Sequence, residues 1–388
     1  MLEGVNVALG VTGSVAAVRT VELAHELRRE GATVRAVMTG SARGIVHPWA
    51  VEFATDTPPI TEITGRVEHV ELCGREGWAD VLLVAPATAN TVGKVAAAVD
   101  DTTVTTCATT ALGAGVPVVV APAMHEPMYD HPGVLDALDR LESWGVDLVA
   151  PRVEEGKAKI ASDEAVVTAA ARAVDDQPLD SQHVVVTAGG TVESLDPVRV
   201  LTNRASGRTG RAVARACRVR GADVTVVHAG LGDPPETPGV ETVGVESTAD
   251  LLAATVDACD GADALVAAAA VGDFTVEARS EKIRSGEPLT LDLRPTPKVV
   301  DEVREADPDL PVVGFKLEPG ADDEAMVAAA RRLVDRAGLS MVVANDTDAL
   351  GGDRTRALLV RPDGEHDAVE GTKERLGLRV ADALGSLC

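Results

Sequence analysis

The order strand, glycine-rich turn, helix occurs twice in this chain, and this repetition constrains the fold more than any other feature. The first copy comprises the apolar run Val5–Val11, the turn Thr12–Ser14 and a segment with helical spacing, Val15–Arg29. The second copy comprises His183–Thr187, Gly189 and Gly190, and a helix over Ser206–Arg220. Strands that are apolar throughout, alternating with helices, predict parallel sheets covered on both faces.

The rest of the chain continues this alternation. Further strands are predicted at 33–38, 81–85, 117–121, 146–149, 223–228, 264–270, 311–315 and 341–344. Helices are predicted at 92–99, 105–114, 134–144, 248–259, 297–305, 322–337 and 372–384. In the first helix, the spacing puts Val18, Leu23 and Leu27 on one face. Because the periodicity lapses near Asp175–Pro178, we predict two doubly wound, Rossmann-like α/β domains, residues 1–172 and 183–388, joined by a linker over 173–182.

Composition excludes several classes of protein. A net charge of −25 argues against binding to nucleic acid, which needs clustered lysine and arginine. No apolar run approaches the roughly 20 residues of a membrane span, and Met1–Gly10 lacks the pattern of a signal peptide. The five cysteines form no CxxC pair, which favours a reducing, cytoplasmic location. Dispersed acidic residues and scarce lysine favour adaptation to high salt, as in a halophilic archaeon, over an acidic mesophilic protein.

Glycines and hydroxyl side chains follow the first two strands. The segment Gly10–Ser14, with Thr12 and Gly13, lies where a strand leads into a helix, and free N–H groups at a helix start bind anions. Thr39 follows the second strand, so it is expected at the same carboxyl edge of the sheet. Alone, this signal does not separate a phosphate site from tight packing in a turn.

Two longer motifs are more specific. The segment Pro86–Thr91 (Pro-Ala-Thr-Ala-Asn-Thr) follows one predicted strand, and Pro122–Tyr129 (Pro-Ala-Met-His-Glu-Pro-Met-Tyr) follows another. Together with His69 and the nearby Trp78-Ala-Asp80, these segments resemble the homo-oligomeric flavin-containing cysteine decarboxylases from Val5 to about Ile160. The resemblance implies FMN as cofactor, held by Gly10, Thr12, Gly13, Ser14, Thr39, Pro86, Thr88, Asn90 and Met124.

The same resemblance implies a reaction. Flavin oxidises the thiol of an acylated cysteine, which allows its carboxylate to leave as CO2. His69 matches the family's catalytic base, and His125 stands where the family has an asparagine that binds the substrate carboxylate. Many members carry a cysteine proton donor on a flap, but Pro151–Ser162 contains none. Glu155, Lys157 and Lys159 are the ionisable groups there, and the proton donor stays open.

The second half contains a long glycine-rich connection, Thr187–Gly210, that leads into a helix. Its Ser206–Gly210 end offers free N–H groups to an anion, and Arg199 is a candidate for binding a carboxylate or phosphate. A Rossmann-like turn that binds NAD is the alternative, but the second strand ends in His228-Ala-Gly rather than in the acidic residue that binds a ribose.

This connection closely resembles that of phosphopantothenate–cysteine ligase, and further motifs follow in the same order at Ala267–Phe274, Glu281–Ile283, Pro297–Val300, Val313–Phe315 and Val343–Asp346. The resemblance implies that Asn203 assists attack on an acyl-cytidylate and that Arg199, Ser206 and Gly207 bind substrate. It places CTP among Ala267, Ala268, Ala269, Asp273, Lys282, Pro297, Lys298, Val299, Val300, Phe315, Arg332 and Arg336. Lys282 is expected to stabilise charge during catalysis, and Asp273 to hold the nucleotide or Mg2+.

The two resemblances support each other, because the product of the ligase is the substrate of the decarboxylase. We therefore predict a bifunctional enzyme of coenzyme A biosynthesis, using FMN, Mg2+ and CTP. Its partners would be the small molecules 4′-phosphopantothenate, cysteine and CTP, and the resemblance implies trimers or dodecamers. A flavin prenyltransferase-like protein or FMN store fused to a nucleotide-binding domain, and a nucleotide-sensing module, are the alternatives. Spacing does not separate CTP from ATP.

Overall fold

The protein divides into two compact units in a computed structural model that describes residues 1–154, 157–284, 286, 288–346 and 354–387. The first unit comprises Met1–Asp175 and the second Asp176–Cys388. Leu179, inside the predicted linker 173–182, is fully buried in the core of the second unit. The backbone N–H of Leu179 donates to the carbonyl of Arg220 at 2.8 Å. The chain after Asp175 is therefore part of a folded core.

The first unit is built on a parallel sheet with strand order β2-β1-β3-β4-β6. Its strands are β1 (Asn6–Val11), β2 (Thr33–Met38), β3 (Val81–Ala87), β4 (Val118–Pro122), β5 (Met124–His125), β6 (Asp147–Leu148), β7 (Arg152–Glu154) and β8 (Lys157–Lys159). Its α-helices are α1 (Thr20–Arg29), α2 (Pro48–Thr55), α3 (Glu68–Cys73), α4 (Ala89–Ala96), α5 (Thr103–Ala114), α6 (Glu126–Tyr129), α7 (Pro132–Ser143) and α8 (Asp163–Ala173). Strands β5, β8 and β7 form a small antiparallel sheet beside it.

Hydroxyl side chains define where several of these helices begin. Thr88, Thr102 and Ser162 each accept a backbone hydrogen bond from the third residue beyond them, which satisfies one of the free N–H groups of the first turn. The predicted helix over Val15–Arg29 begins as a 3₁₀ turn at Val15–Arg19 before α1. Val18, within that 3₁₀ turn, is 62% exposed, whereas Leu23 and Leu27, within α1, are buried.

The second unit contains a larger sheet with strand order β13-β12-β9-β14-β17-β18-β19-β20. Its strands are β9 (His183–Gly189), β10 (Val192–Ser194), β11 (Val200–Thr202), β12 (Asp223–Ala229), β13 (Glu241–Val245), β14 (Ala264–Ala267), β15 (Phe274–Val276), β16 (Leu293–Pro295), β17 (Val312–Leu317), β18 (Met341–Asn345), β19 (Arg354–Val360) and β20 (His366–Thr372). Its helices are α9 (Arg208–Val219), α10 (Thr248–Ala258), α11 (Val299–Ala306), α12 (Asp323–Ala337) and α13 (Lys373–Leu384).

This second sheet is parallel from β13 to β18 but antiparallel at its β19 and β20 edge. The predicted doubly wound α/β class is therefore confirmed for both units, and the antiparallel edge formed by β19 and β20 was not predicted. Helices cover both faces, since one apolar cluster contains residues of α9 and α13 and another contains residues of α10, α11 and α12. Within the described residues, no helix has both the length and the apolar composition that crossing a membrane requires.

Candidate functional site

The first unit has a cavity of about 450 Å³ at the carboxyl edge of its sheet. This volume is within the range of about 300–1,000 Å³ that is usual for cofactor sites. Four of the predicted FMN-site residues line it: Gly13, Ser14, Thr88 and Met124. The remaining lining residues are Val15, Ala16, Arg19, Ala89, Ala123, His125, Met128, Arg152, Lys159 and Ile160.

Thr12 joins two loops rather than lining this cavity. Its hydroxyl donates to the carbonyl of Pro86 at 2.7 Å and accepts from the N–H of Thr88 at 3.1 Å. The side chain is fully buried, so this hydroxyl is used within the protein. Thr12 thereby fixes the loop after β1 against the loop after β3, and Thr88 with it.

Four other predicted FMN-site residues also lie outside the cavity lining. Thr39 is buried, and its hydroxyl accepts from the N–H of Ala42 at 3.2 Å. Gly10 is buried within β1 and Pro86 within β3, while Asn90 is exposed in the first turn of α4. The sequence motifs therefore include residues that do not line the cavity as well as residues that do.

Gly13 lies where only a glycine fits. A Cβ atom at this position would overlap the hydroxyl oxygen of Ser41. The adjacent Ser14 side chain donates to the carbonyl of Ala123 at 3.1 Å and accepts from the N–H of Ala16 at 3.3 Å. The backbone at the start of the 3₁₀ turn is thus held against two neighbouring loops and exposed to the cavity.

Three cations line the same cavity in a strongly acidic chain. Arg19 forms an ion pair with Asp163 at 2.8 Å, and Arg152 donates from Nε to the carbonyl of Ile160 at 3.4 Å. Lys159, one of the flap candidates, lines the cavity, whereas Glu155 and the side chain of Lys157 lie outside the described residues. An apolar wall with cations at its edge suits a flat aromatic group that carries a phosphate, so these residues fit FMN.

The two predicted catalytic histidines lie in different places. His125 lines the cavity, but His69, in α3, does not. The Nδ1 atom of His69 is buried and has no hydrogen-bond partner among the described residues. Val67 and Val70 on either side of it are each 48% exposed. The cavity rim is also apolar, since Val15, which lines it, is 80% exposed.

The second unit has a smaller cavity, of about 170 Å³, beside the glycine-rich connection. The start of α9, the loop after β14 and the ends of β17 and β18 form its walls. Its lining residues are Gly189, Ala205, Ser206, Gly207, Arg208, Thr209, Gly210, Ala268, Ala269, Ala270, Phe315, Leu317, Asn345 and Lys373. The predicted residues Ser206, Gly207, Ala268, Ala269 and Phe315 are therefore brought together.

Two glycines allow this connection to pack closely. Gly189 has a φ of +82°, and a Cβ atom there would overlap the carbonyl oxygen of Ala229. Gly207 has a φ of +71°, and its Cβ atom would lie 2.9 Å from the backbone nitrogen of Gly189. Positive φ angles favour glycine, because a side chain is strained there. The loop can thus bring the start of α9 against the end of β9.

Asn203 also holds this glycine-rich loop in place, through two side-chain hydrogen bonds. Its side-chain amide donates from Nδ2 to the carbonyl of Ala270 at 2.5 Å, and its Oδ1 accepts from the N–H of Ala205 at 3.0 Å. The side chain passes directly over Gly190, where a Cβ atom would overlap it. Asn203 is exposed but does not line the cavity, so its position here is that of a bridge between two loops.

A buried acid orients the loop after β14. Glu193 accepts from the N–H of Thr248 at 2.9 Å and from the hydroxyl of Thr275 at 2.6 Å. Thr191, also buried, accepts at its hydroxyl from the N–H of Gly272 at 2.7 Å. These bonds hold residues 272–275 against β10, and the exposed Asp273 lies within that segment. Buried polar groups that are fully hydrogen-bonded fix a single arrangement.

A second buried acid holds the segment that contains Lys282. The carboxylate of Asp196 accepts from the N–H of Ile283 at 3.0 Å, and also from the N–H groups of Val198 and Arg199. Burial acts to raise the pKa of Asp196, but these backbone N–H groups outweigh it, so the pKa lies below the usual value. Arg199 pairs with Asp196 at 3.3 Å, instead of lining the cavity as a substrate ligand.

Several predicted CTP-site residues do not line the cavity. Asp273 and Lys298 are paired with each other at 2.6 Å, and Val299 is buried in the core. Arg336 forms an ion pair with Asp301 at 2.9 Å. The other residues that do not line the cavity are Ala267, Lys282, Pro297, Val300 and Arg332.

The predicted Mg2+ ligand, Asp273, was compared with the other potential metal ligands of the described residues. Among the described residues, no group of three or more histidine, cysteine, aspartate or glutamate side chains is placed to hold a metal ion. Asp273 would therefore contribute a single carboxylate, after giving up its pairing with Lys298.

The structure also brings residues to the cavities that the sequence did not reveal. In the first unit, Met128 and Ile160 complete the apolar wall. In the second unit, Asn345 and Lys373 line the cavity. Asn345 belongs to the motif Val343–Asp346 and could have been chosen from it. Lys373 is the first residue of the last helix and belongs to none of the motifs. Only the fold brings it to the cavity.

Comparisons with known proteins agree with this division. The Flavoprotein family matches residues 1–175, and the family described as DNA/pantothenate metabolism flavoprotein C-terminal domain matches residues 179–387. The protein named coenzyme A biosynthesis bifunctional protein CoaBC from Thermococcus kodakarensis is 45% identical over 387 residues, covering 99% of this chain and 95% of that protein. Its namesake from Methanocaldococcus jannaschii is 32% identical over 391 residues, covering 100% and 95%.

Proposed function

This chain belongs to the CoaBC family of bifunctional coenzyme A biosynthesis proteins, and from that premise we propose which unit and which residues carry each reaction. The protein is an enzyme with phosphopantothenoylcysteine decarboxylase and phosphopantothenate–cysteine ligase activities. We assign the decarboxylase to the first unit and the ligase to the second. The alternatives of a different flavoprotein or a nucleotide sensor are disfavoured, because the relatives match both units along nearly the whole chain.

The ligase reaction has two steps in this proposal. The carboxylate of 4′-phosphopantothenate attacks the α-phosphorus of CTP, which forms an acyl-cytidylate and releases pyrophosphate. The amine of cysteine then attacks the acyl carbon and releases CMP. The N–H groups at Ser206–Gly210 and the start of α9 would bind an anionic group in the cavity of about 170 Å³. Mg2+ would arrive with the nucleotide, with Asp273 as its protein ligand.

Lys282 would stabilise the charge that develops on the phosphate. It does not line the cavity, but its neighbour Ile283 is fixed by Asp196, so the backbone beside Lys282 has a defined position. An exposed lysine on such a segment can reach a bound nucleotide through its long side chain. Asn203 would release Ala270 and turn its amide towards the acyl-cytidylate, or hold the loop that binds it.

The decarboxylase site would form around the cavity of about 450 Å³. FMN bound there would accept electrons from the substrate thiol and later return them. Gly13 and Ser14 would contact the cofactor through the backbone, and the cavity's cations would offset its phosphate charge. His125 lines the cavity and can donate a ring N–H to the substrate carboxylate.

His69 would act as the base in the cavity of a neighbouring copy. Three observations support this: His69 does not line its own cavity, its Nδ1 is buried without a partner among the described residues, and exposed Val67 and Val70 flank it. The apolar cavity rim, including the 80% exposed Val15, would be covered in the same assembly. A homo-oligomer is thus part of the proposed decarboxylase.

One observation carries the whole proposal. Each unit has its own cavity beside the start of a helix, and relatives from the same bifunctional family match the chain across both units. The test is turnover: wild-type protein given 4′-phosphopantothenate, cysteine, CTP and Mg2+ should release CMP, pyrophosphate and CO2. Comparing turnover with CTP and with ATP decides which nucleotide the ligase uses. Release of neither CMP nor CO2 by flavin-loaded protein would contradict the proposal.

Single variants should separate the two halves. His69→Asn should keep bound flavin and CMP release but lose CO2 release by about 100-fold or more, which is the usual range for a general base. Lys282→Ala should lose CMP release but still decarboxylate added 4′-phosphopantothenoylcysteine. The reverse outcome for either variant would overturn the assignment of reactions to units.

A mixing experiment tests whether His69 acts in the cavity of a neighbouring copy. Co-expressed His69→Asn and Gly13→Ala chains would assemble sites that combine an intact cavity from one chain with an intact His69 from another. Decarboxylation should then return in the mixed assembly, although each variant alone is inactive. If the mixed assembly stays as inactive as the separate variants, His69 acts within its own chain.

A further inference from the structure

The two-stranded sheet formed by β15 and β16 has little apolar packing to hold it in place. Phe274 in β15 is 49% exposed, Leu293 in β16 is 41% exposed, and every residue of β16 belongs to the exposed class. A pair of short strands is at best marginally stable on its own in water. The position of this small sheet in the second unit therefore depends on contacts other than apolar burial.

Glu193 supplies one of these contacts from the interior. It is 8% exposed, and one of its carboxylate oxygens accepts from the hydroxyl of Thr275 in β15 at 2.6 Å. The other oxygen accepts from the backbone N–H of Thr248 at 2.9 Å. Thr248 is the first residue of α10, where the partial positive charge of the helix start stabilises a carboxylate. The buried acid thus ties β15 to α10.

The chain beyond β15 is held by the same short segment, residues 193–196. The carbonyl of Leu195 accepts from the N–H of Arg279, and the carboxylate of Asp196 accepts from the N–H of Ile283, both at 3.0 Å. The hydrogen bond from the buried glutamate therefore acts at the beginning of this stretch, and the other two contacts act farther along it.

Asp273 lies at the base of the two-stranded sheet, directly before β15. Its carboxylate accepts from Nζ of Lys298 at 2.6 Å, and its carbonyl accepts from the N–H of Thr296 at 3.1 Å. The hydroxyl of Thr296 donates to the carbonyl of Gly272 at 2.6 Å. Ala270, shortly before it in the chain, lines the cavity of the second unit. A shift of β15 would therefore move Asp273 relative to the cavity wall.

We infer that Glu193 is a positioning residue of the ligase, which holds the carboxylate of Asp273 in place for binding the nucleotide. This inference rests on the proposed function, in which Asp273 binds CTP or its Mg2+, and adds to it the residue that supports Asp273. Glu193 does not line the cavity, and it acts on Asp273 through its hydrogen bond with Thr275.

The main test is a double-mutant cycle on the full-length, flavin-loaded protein, with Kd for CTP measured by calorimetry in the presence of Mg2+. Thr275→Val removes the hydroxyl that donates to Glu193 and keeps the branched shape of the side chain. We expect Kd for CTP to rise about 10-fold, while KM for cysteine changes less than twofold. In an Asp273→Ala background, Thr275→Val should cause no further rise, because its effect passes through Asp273.

Conservative variants separate the hydrogen bonds from the residue types. Thr275→Ser keeps the hydroxyl and should keep Kd for CTP within about twofold of wild type. Glu193→Gln should do the same, since its carbonyl can accept from Thr248 and its NH2 can donate to the hydroxyl of Thr275. Glu193→Leu can form neither bond and should raise Kd for CTP at least as much as Thr275→Val does.

Thr255→Val is the matched control. Thr255 is fully buried in α10, and its hydroxyl donates to the carbonyl of Leu251 at 2.6 Å, within the same helix. The variant removes a buried hydroxyl from the same unit but none of the hydrogen bonds around Asp273, so Kd for CTP should not change. A rise equal to that of Thr275→Val would mean that loss of any buried hydroxyl weakens binding, and the inference would be wrong.

Failure of this inference differs from failure of the proposed function. If wild-type protein neither binds CTP nor releases CMP, the ligase assignment itself fails. If wild-type protein binds CTP but Thr275→Val and Glu193→Leu leave Kd within twofold, the inference alone is wrong, even where Tm falls. It is equally wrong if the effect of Thr275→Val is as large in the Asp273→Ala background as in wild type, because Glu193 then has a structural role that does not pass through Asp273.

Discussion

The two cavities differ in how much of their chemistry a single chain supplies. In the first unit, the cavity walls are in place, but His69 lies elsewhere and the rim exposes Val15. In the second unit, the glycine-rich connection, the buried acids Glu193 and Asp196, and Lys373 already surround or support one small cavity. Under the proposed function, a neighbouring copy would complete the first site, whereas hydrogen bonds within the chain hold the loops around the second cavity.

This difference follows from where each unit places its polar groups. Thr12 in the first unit uses its hydroxyl to fix two loops, which shapes a largely apolar wall. The second unit uses charged carboxylates for the same purpose, since Glu193 and Asp196 each accept backbone N–H groups from distant segments. Hydrogen bonds to charged groups are stronger than neutral ones, so they can hold long irregular loops in place.

The largest effect should follow a change in the glycine-rich connection. Gly189→Ala adds a Cβ atom that overlaps the carbonyl of Ala229, at a φ of +82° that already strains alanine. We expect the second unit to lose about 2–5 kcal/mol of stability and its ligase activity, measured by thermal unfolding and CMP release. Flavin binding by the first unit should persist.

A control in the same unit isolates the overlap from the backbone strain. Gly261 has a φ of +76° but open space around its Cβ position. Gly261→Ala should cost only about 1–2 kcal/mol, which is the usual penalty for an L-residue in this conformation. Equal losses for both variants would show that the close approach at Gly189 is unimportant.

The next effect concerns the first cavity. Gly13→Ala places a Cβ atom on the hydroxyl of Ser41, so the loop after β1 must move and flavin should be lost. The double variant Gly13→Ala/Ser41→Gly removes the overlapping atoms and should recover part of the bound flavin, measured by its visible absorbance. Recovery would show that flavin is lost because of the overlap with Ser41, and not because residue 13 must be glycine.

Gly93 provides the matched control in this unit. It lies inside α4, and a Cβ atom there would meet no atom within 4 Å. Gly93→Ala should keep all flavin and raise stability by about 0.5–1 kcal/mol, because alanine is favoured in a helix interior. Loss of flavin in Gly93→Ala would mean that flavin content is sensitive to any change near the motif.

The apolar periodicity of the sequence predicted the parallel strands of both units within a few residues, except the edge strand β13, because buried strands must be apolar throughout. It missed the β19–β20 hairpin, although Pro362-Asp363-Gly364 is a turn signal between two strand-length segments. Strand β20 contains Asp367 and Glu370 and buries Val369, so its alternating pattern resembles that of an exposed loop. Edge strands with one face in water give a weak signal.

The sequence motifs located both sites but not the role of each residue. Thr12 and Asn203 belong to the matched motifs, yet their side chains bond to other loops instead of lining the cavities. Lys373 belongs to no motif, and only the packing of α13 on α9 brings it to the second cavity. Such contacts join residues far apart in the chain, so local pattern does not reveal them.

A smaller effect should follow a change at Asp196, whose carboxylate accepts a hydrogen bond from the backbone beside Lys282. Asp196→Asn replaces one oxygen by an NH2 group, which cannot accept from the N–H of Ile283 or from Arg199. The segment beside Lys282 should loosen, so kcat for CMP release should fall about 10-fold while KM for cysteine changes little. Decarboxylation should be unchanged, and a fall in both activities would indicate general unfolding.

The smallest effect should be a pH dependence confined to the second unit. The ring of His228 contacts Gly207, where a Cβ atom would lie 2.8 Å from its Cε1. Burial, helped by the nearby charge of Arg211, lowers the pKa of His228 below its usual value. Between that lowered pKa and about 6.5, the unfolded chain binds more protons than the folded one, so stability rises with pH.

The stability that comes from neutral His228 is therefore complete above pH about 6.5 and decreases as pH falls towards the folded pKa. In His228→Gln this component is absent, because glutamine does not titrate. The Tm of the second unit in wild type should fall from pH 7.5 to 5.5 by about 2 °C more than in the variant, while the flavin-bound first unit shows no such difference. Parallel pH profiles in wild type and His228→Gln would show that the ring is not held neutral. The two units would then differ in the hydrogen bonds that hold their loops, but not in how their stability depends on pH.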